Sequence, residues 1–132
     1  MRALLVIFVA MLLLQGCGEK TTSSRYLDED SYHGDEKAII GLINSRIKYI
    51  SDDDLESYMK LFVPDSPING MPKYKIQTVR LTGEFKIGKY SNYSLAVVPT
   101  EEVFEEYGAT NLQYVFIKMD GANEEWKIAD ID

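Results

Sequence analysis

Few side chains in this 132-residue chain have the chemistry of a reactive centre. There is one cysteine, Cys17, and one histidine, His33. That inventory excludes a disulfide within the chain, a Cys-built zinc site, a His-pair metal site and a His-centred triad. Carboxylates are plentiful. Asp52-Asp53-Asp54 offers oxygen ligands of the kind a hard cation takes, but adjacent acids lack the alternating spacing and the Gly of a calcium loop, so a solvated first helical turn is the simpler reading. Asp120-Gly121-Ala122-Asn123-Glu124 reads in the same way as a polar hairpin turn. Asp130 alternates onto one strand face with Trp126 and Ile128. If that face lines a cavity, desolvation raises the Asp130 pKa and suits it to acid–base work; the plainer reading is a hydrated carboxylate near the chain end. Nine tyrosines are many for this length. Tyr58, Tyr74, Tyr93 and Tyr114 offer hydroxyls to a ligand, although such residues more often pack their rings and hydrate their tips. No Gly-rich phosphate loop, nucleophile elbow or HExxH motif is present, and no metal or cofactor is expected.

Composition narrows the classes further. Lys and Arg total 14 against 21 Asp and Glu, a formal charge of −7, which disfavours nucleic acid because phosphate neutralisation needs a basic face. With 45% apolar and 11% aromatic residues the chain can bury a core, and its length allows one domain.

The N-terminus has its own organisation. Arg2 precedes an uninterrupted apolar run from Ala3 to Leu14, too short for a bilayer span, which takes about 20 residues, and suited to a secretory signal. Leu14-Gln15-Gly16-Cys17 resembles the lipobox of bacterial lipoproteins. The resemblance implies a signal peptide over 1–16, removal after Gly16, and lipid attachment at Cys17, with several acyl chains giving the stable anchoring that one chain does not. The membrane is then a partner through the lipid, with the domain facing the extracytoplasmic space from the cell membrane or the outer membrane. A short anchor helix with an incidental Cys leaves the abrupt change to polar sequence after Cys17 unexplained. Gly18 to Gly34 lacks sustained periodicity and reads as a flexible tether, so the boundaries are 17–34 for lipidated Cys and tether and 35–132 for the domain.

Within the domain, Asp35 reads as the N-cap of a helix to Tyr49 or Ile50, with Ile39, Ile43, Ile47 and Ile50 on one face. Ser51 then reads as a second N-cap for a short helix carrying Leu55, Tyr58, Met59 and Phe62, ended by Pro64. A surface loop follows over 63–73. From Tyr74 the period becomes two, with runs at 74–81, around Phe85 and Ile87, and at Tyr93, Leu95 and Val97 before Pro99. Val103 to Tyr107 fits a helical turn or an edge strand, and variability is expected over 99–110. Asn111 to Met119 is the strongest strand, paired across a turn with Trp126 to Ile131. Two helices followed by an antiparallel meander of four or five strands make an α+β domain with the sheet packed on the helices.

Three stretches in this order resemble the nuclear-transport-factor-2-like superfamily, also called cystatin-like or SnoaL-like: the helix from Asp35, the segment Ile50 to Phe62 continuing to Pro64-Asp65, and the closing hairpin of Tyr114-Val115-Phe116 with Trp126 to Ile131. The resemblance implies a cone formed by a curved sheet wrapped on a helix, with an interior that holds a ligand, catalyses a reaction or is filled by side chains. Tyr58, Phe62, Tyr114, Trp126 and Asp130 are the candidate pocket-lining residues. The absence of His from the domain argues against a His-using cyclase or dehydratase, and no catalytic residue is carried over. The expected function is therefore a non-enzymatic, membrane-anchored binding or interaction domain for an unknown protein or small apolar ligand. The alternative is a small Asp/Tyr-dependent isomerase or hydrolase in the same cone. The resemblance also implies a homodimer through the outer sheet face.

Overall fold

The computed structural model describes residues 24–121 and 123–132. The expected signal peptide over 1–16 and the expected lipid-attachment residue Cys17 lie outside the described residues. Helix α1, Gly34–Ser51, buries Ile39, Ile43, Ile47 and Ile50, the stripe that spacing alone predicts, together with Ile40. It begins one residue before Asp35, and His33 occupies the N-cap without a side-chain hydrogen bond. Asp35 instead accepts from Trp126 Nε1 and Lys118 Nζ, each at 2.9 Å, tying the first helical turn to the sheet. Helix α2, Leu55–Met59, is capped by Asp54, whose side chain accepts from Ser57 N at 3.1 Å. Ser51, expected as that cap, is the last residue of α1. The three aspartates serve three local purposes: Asp52 pairs with Lys48 one turn back, Asp53 takes the left-handed φ of 53° that reverses the chain, and Asp54 starts α2.

Five antiparallel strands follow: β1 Ile76–Leu81, β2 Lys86–Lys89, β3 Tyr93–Phe104, β4 Gly108–Met119 and β5 Trp126–Ile131, in the order β1-β3-β4-β5 with β2 also on β3. The α+β architecture is thus the one expected, with α1 against one sheet face. That face carries Ala96, Val98 and Phe104 of β3, Tyr114 and Phe116 of β4, and Trp126 and Ile128 of β5. The segment 99–110, in which the sequence of Val103 to Tyr107 fits a helical turn or an edge strand, forms the end of β3, a tight turn and the start of β4. Gly108, at φ 75°, closes that turn in a conformation L side chains rarely adopt.

Pro99, expected to end a run, lies within β3. β2 pairs with Ser94 to Val97 and β1 with Thr100 to Phe104, so Pro99 falls where one neighbour gives way to the other. Its carbonyl accepts from Thr82 N at 3.0 Å, which shows that its missing N–H also faces this gap and that no ladder bond to β4 is lost. Gly83 lies in the connection beside it, where an added Cβ would sit 2.9 Å from Pro99 Cγ. Gly83→Ala is expected to destabilise by about 1 kcal/mol, the overpacking cost less the entropy that alanine removes from the unfolded chain. Urea denaturation reads this directly. An unchanged midpoint would mean that the proline ring yields freely.

The expected tether is docked from Ser24 onward. Asn44 on α1 bonds Leu27 twice, accepting from its N–H at 2.8 Å and donating to its carbonyl at 2.9 Å, and also donates to Glu29 Oε1. Asp28 caps a 3-10 turn over Glu29–Ser31. Val79 N donates to Ser24 O, so the segment also covers the free edge of β1. The folded unit therefore includes residues 24–34, because one buried asparagine supplies the backbone partners that polar sequence without periodicity does not advertise. At the opposite sheet edge, Ile128 N donates to Leu61 O and Val63 N to Ile128 O, giving β5 a short parallel partner.

The Asp35 contact has a pH signature. The Lys118 and Trp126 hydrogen bonds hold its carboxyl below the ordinary value of 3.8. A depressed folded-state pKa contributes stability that is present above the unfolded value and is lost as pH falls through the folded one. The stability advantage of the protein over Asp35→Asn should therefore be full at neutral pH and vanish below pH 3.8, as thermal unfolding of both across pH 2–7 will show. A constant difference across that range would assign the effect to something other than the ionised carboxylate.

Candidate functional site

Arg46 interrupts the isoleucine stripe of α1 and points at the sheet. Its Nη1 donates to Glu102 Oε1 and Oε2 at 3.0 and 2.8 Å and to the Tyr114 hydroxyl at 2.7 Å. Tyr114 in turn donates to Glu102 Oε1. The alternation of β3 turns Val98, Thr100, Glu102 and Phe104 to the same face, and the β3–β4 register sets Tyr114 opposite Val98 and Thr110 opposite Glu102. Arg46 is 4% exposed and Glu102 and Tyr114 are fully buried. Burial opposes the charge on Arg46, but the Tyr114 and Glu102 oxygens facing it more than offset this and raise its pKa above the ordinary guanidinium value. Burial drives the Tyr114 hydroxyl well above 10, with the Glu102 charge adding to the rise and Arg46 opposing it, so this phenol stays protonated.

Beside this triad lies a cavity of about 540 Å³, within the range of small-molecule sites. Arg46 and Tyr58 line its helical side, Phe104, Leu112 and Ile131 its sheet side, and the loop over 67–72 a third. Tyr107, 69% exposed, packs edge-on against Tyr74 and Phe104 at the rim. Among the described residues Arg46 is the sole formally charged one in the lining, which is mostly apolar. Two buried polar atoms, Arg46 Nε and Thr100 Oγ1, have no hydrogen-bond partner among the described residues.

The five candidate pocket residues fall in different places. Tyr58 lines the cavity. Tyr114 is sealed behind Arg46, acting on the site through the guanidinium rather than by touching its contents. Phe62 is core, its ring 5.1 Å from that of Tyr58. Trp126 is core and is held by Asp35. Asp130 does not line the cavity. Ile128 pairs with Phe116 and Asp130 with Val115, leaving Ala129 as an extra residue, and this bulge exchanges the faces of everything after it. Ile131 therefore takes the inward position that uninterrupted alternation assigns to Asp130. Arg46 and Glu102 escaped the sequence reading. Their signals were a basic residue between Ile43 and Ile47, and an acid in phase with Val98 and Phe104.

Among the described residues, no group of three or more His, Cys, Asp or Glu side chains converges as metal ligands would, and no helix is long and apolar enough to cross a membrane. No family model matches the chain, and no curated protein matches it. A solved structure described as a nuclear transport factor 2 (NTF2-like) superfamily protein from Salmonella enterica subsp. enterica serovar Typhimurium str. LT2 is similar, with 19% identity over 73% of this chain and 87% of that one and a TM-score of 0.47. Similarity at this level assigns no activity.

Proposed function

We propose that this chain is an extracytoplasmic lipoprotein, anchored through Cys17, whose domain is of the nuclear-transport-factor-2-like kind and binds a small, mainly apolar ligand between helix and sheet without transforming it. The observation that carries the binding reading is the cavity beside Arg46, apolar on most of its wall and too large to be a packing defect. An Asp/Tyr isomerase needs a free carboxylate facing its substrate. Among the described residues no carboxylate lines the cavity, and the buried Glu102 is committed to Arg46 and Tyr114. The anchoring rests on the Leu14 to Cys17 motif.

One preparation tests the binding: the chain from residue 17 with Cys17→Ser, which retains every described residue. An apolar fluorescent probe should bind it saturably, and Leu112→Trp, which fills the cavity from the sheet side, should weaken that binding at least tenfold with little change in thermal stability. Binding unaltered by Leu112→Trp would place the probe elsewhere and remove the reading. Radiolabelled fatty acid incorporated in a bacterial host by the full chain, and not by full-length Cys17→Ser, is the expected result for the anchor.

A further inference from the structure

We infer that the cavity selects a neutral, mainly apolar molecule with one carbonyl-type acceptor seated against Arg46, in preference to a carboxylate or an ammonium of the same length. The inference rests on the binding reading above and deepens it. A guanidinium has five N–H donors and no acceptor. Nη1 is consumed by Glu102 and Tyr114, whereas Nε is sealed and unpartnered. Nη2 likewise bonds no described residue and is not among the sealed atoms, so it is the donor open to an occupant of the cavity. A guanidinium donor without a protein partner, set in a mostly apolar wall, favours a ligand that brings an acceptor.

Charge decides which acceptor. Glu102 already balances Arg46 and Tyr114 stays neutral, so the site has no net charge to offer. A ligand carboxylate seated against Arg46 would add a second anion beside one buried cation that Glu102 already pairs, at a desolvation cost that the shared guanidinium does not repay. An ammonium would meet only donors on Arg46 and, among the described residues, no carboxylate on the wall. A ketone, ester or amide oxygen accepts a charge-assisted hydrogen bond and buries no new charge. Scaled from an apolar cavity of about 150 Å³ that holds one benzene, the volume suits a molecule of up to roughly twenty non-hydrogen atoms.

The test titrates undecan-2-one, undecanoate, undecylammonium and 1-undecene at pH 8 into the Cys17→Ser chain from residue 17, followed by the NMR signals of the Arg46 Nε–H and of the Leu112 amide. The ketone should bind at least tenfold more tightly than either ion or the alkene and should move the Arg46 signal. The double variant Arg46→Met/Glu102→Gln, which replaces the ion pair by neutral groups, should bind ketone and alkene equally. Should that variant not fold, pH provides the second measurement: undecanoate should tighten at least tenfold as acidification makes it the neutral acid. Undecanoate binding as tightly as the ketone at pH 8, or a ketone that leaves the Arg46 signal unmoved, overturns the selectivity and leaves the cavity-binding reading standing. Failure of all four probes to bind overturns both.

Discussion

Arg46→Leu should cost the domain about 3–5 kcal/mol, because it strands the Glu102 carboxylate, fully buried, with only the Tyr114 hydroxyl for company. For a domain of this size that is a fall in melting temperature of upwards of about 12 °C. The double variant Arg46→Met/Glu102→Gln should recover most of the loss, since removing both charges also removes their desolvation penalty. Urea denaturation of the protein, Arg46→Met, Glu102→Gln and the double variant closes the cycle, with a coupling well above the roughly 0–1 kcal/mol of exposed pairs such as Lys60–Glu56. Single-variant losses that simply add would show that the pair is not energetically joined, and the neutral-site argument for ligand choice would lose its footing.

Phe116→Ala should be as damaging, at about 3–5 kcal/mol. Phe116 has no exposed surface, sits on β4 with strands on both sides, and stacks its ring on that of Tyr114 at 5.6 Å and 5°. Its cross-strand neighbours are Ala96 and Ile128, and the small Ala96 leaves nothing on the β3 side large enough to fill the space. Phe116→Leu should cost markedly less, as most of the volume remains. The two variants compared in urea separate cavity formation from loss of the aromatic stack. A loss below about 1 kcal/mol for Phe116→Ala would mean that the sheet collapses onto α1 there, which the pairing of β4 on both edges opposes.

The same ring orders the functional site indirectly. Phe116 supports Tyr114, Tyr114 bonds both Arg46 and Glu102, and Arg46 faces the cavity. Phe116→Ala should accordingly weaken ligand binding even where the protein is still folded, whereas Gly83→Ala, remote from the cavity lining, should not.

What the sequence determined by itself was periodicity. Isoleucines at three- and four-residue spacing required α1, and alternation required strands within 74–81 and through the final hairpin, because each pattern turns one face of a regular element toward the core. The change of period near Tyr74 was enough for the α+β class. Tertiary structure alone decided what depends on register or on distant partners. Pro99 stays in β3 because β1 and β2 meet opposite it, and no window around Pro99 contains that fact. Ala129 forms a bulge against β4 and so puts Ile131, not Asp130, on the cavity wall; one extra residue reverses every later side chain in a structure of period two. Residues 24–34 dock on Asn44, one polar residue with no pattern to announce it, and on the edge of β1. The triad joins Arg46 to Glu102 across 56 residues. A buried charge looks in sequence like any other charge, and its partner is chosen by how helix and sheet pack, a choice that exists only once both have formed.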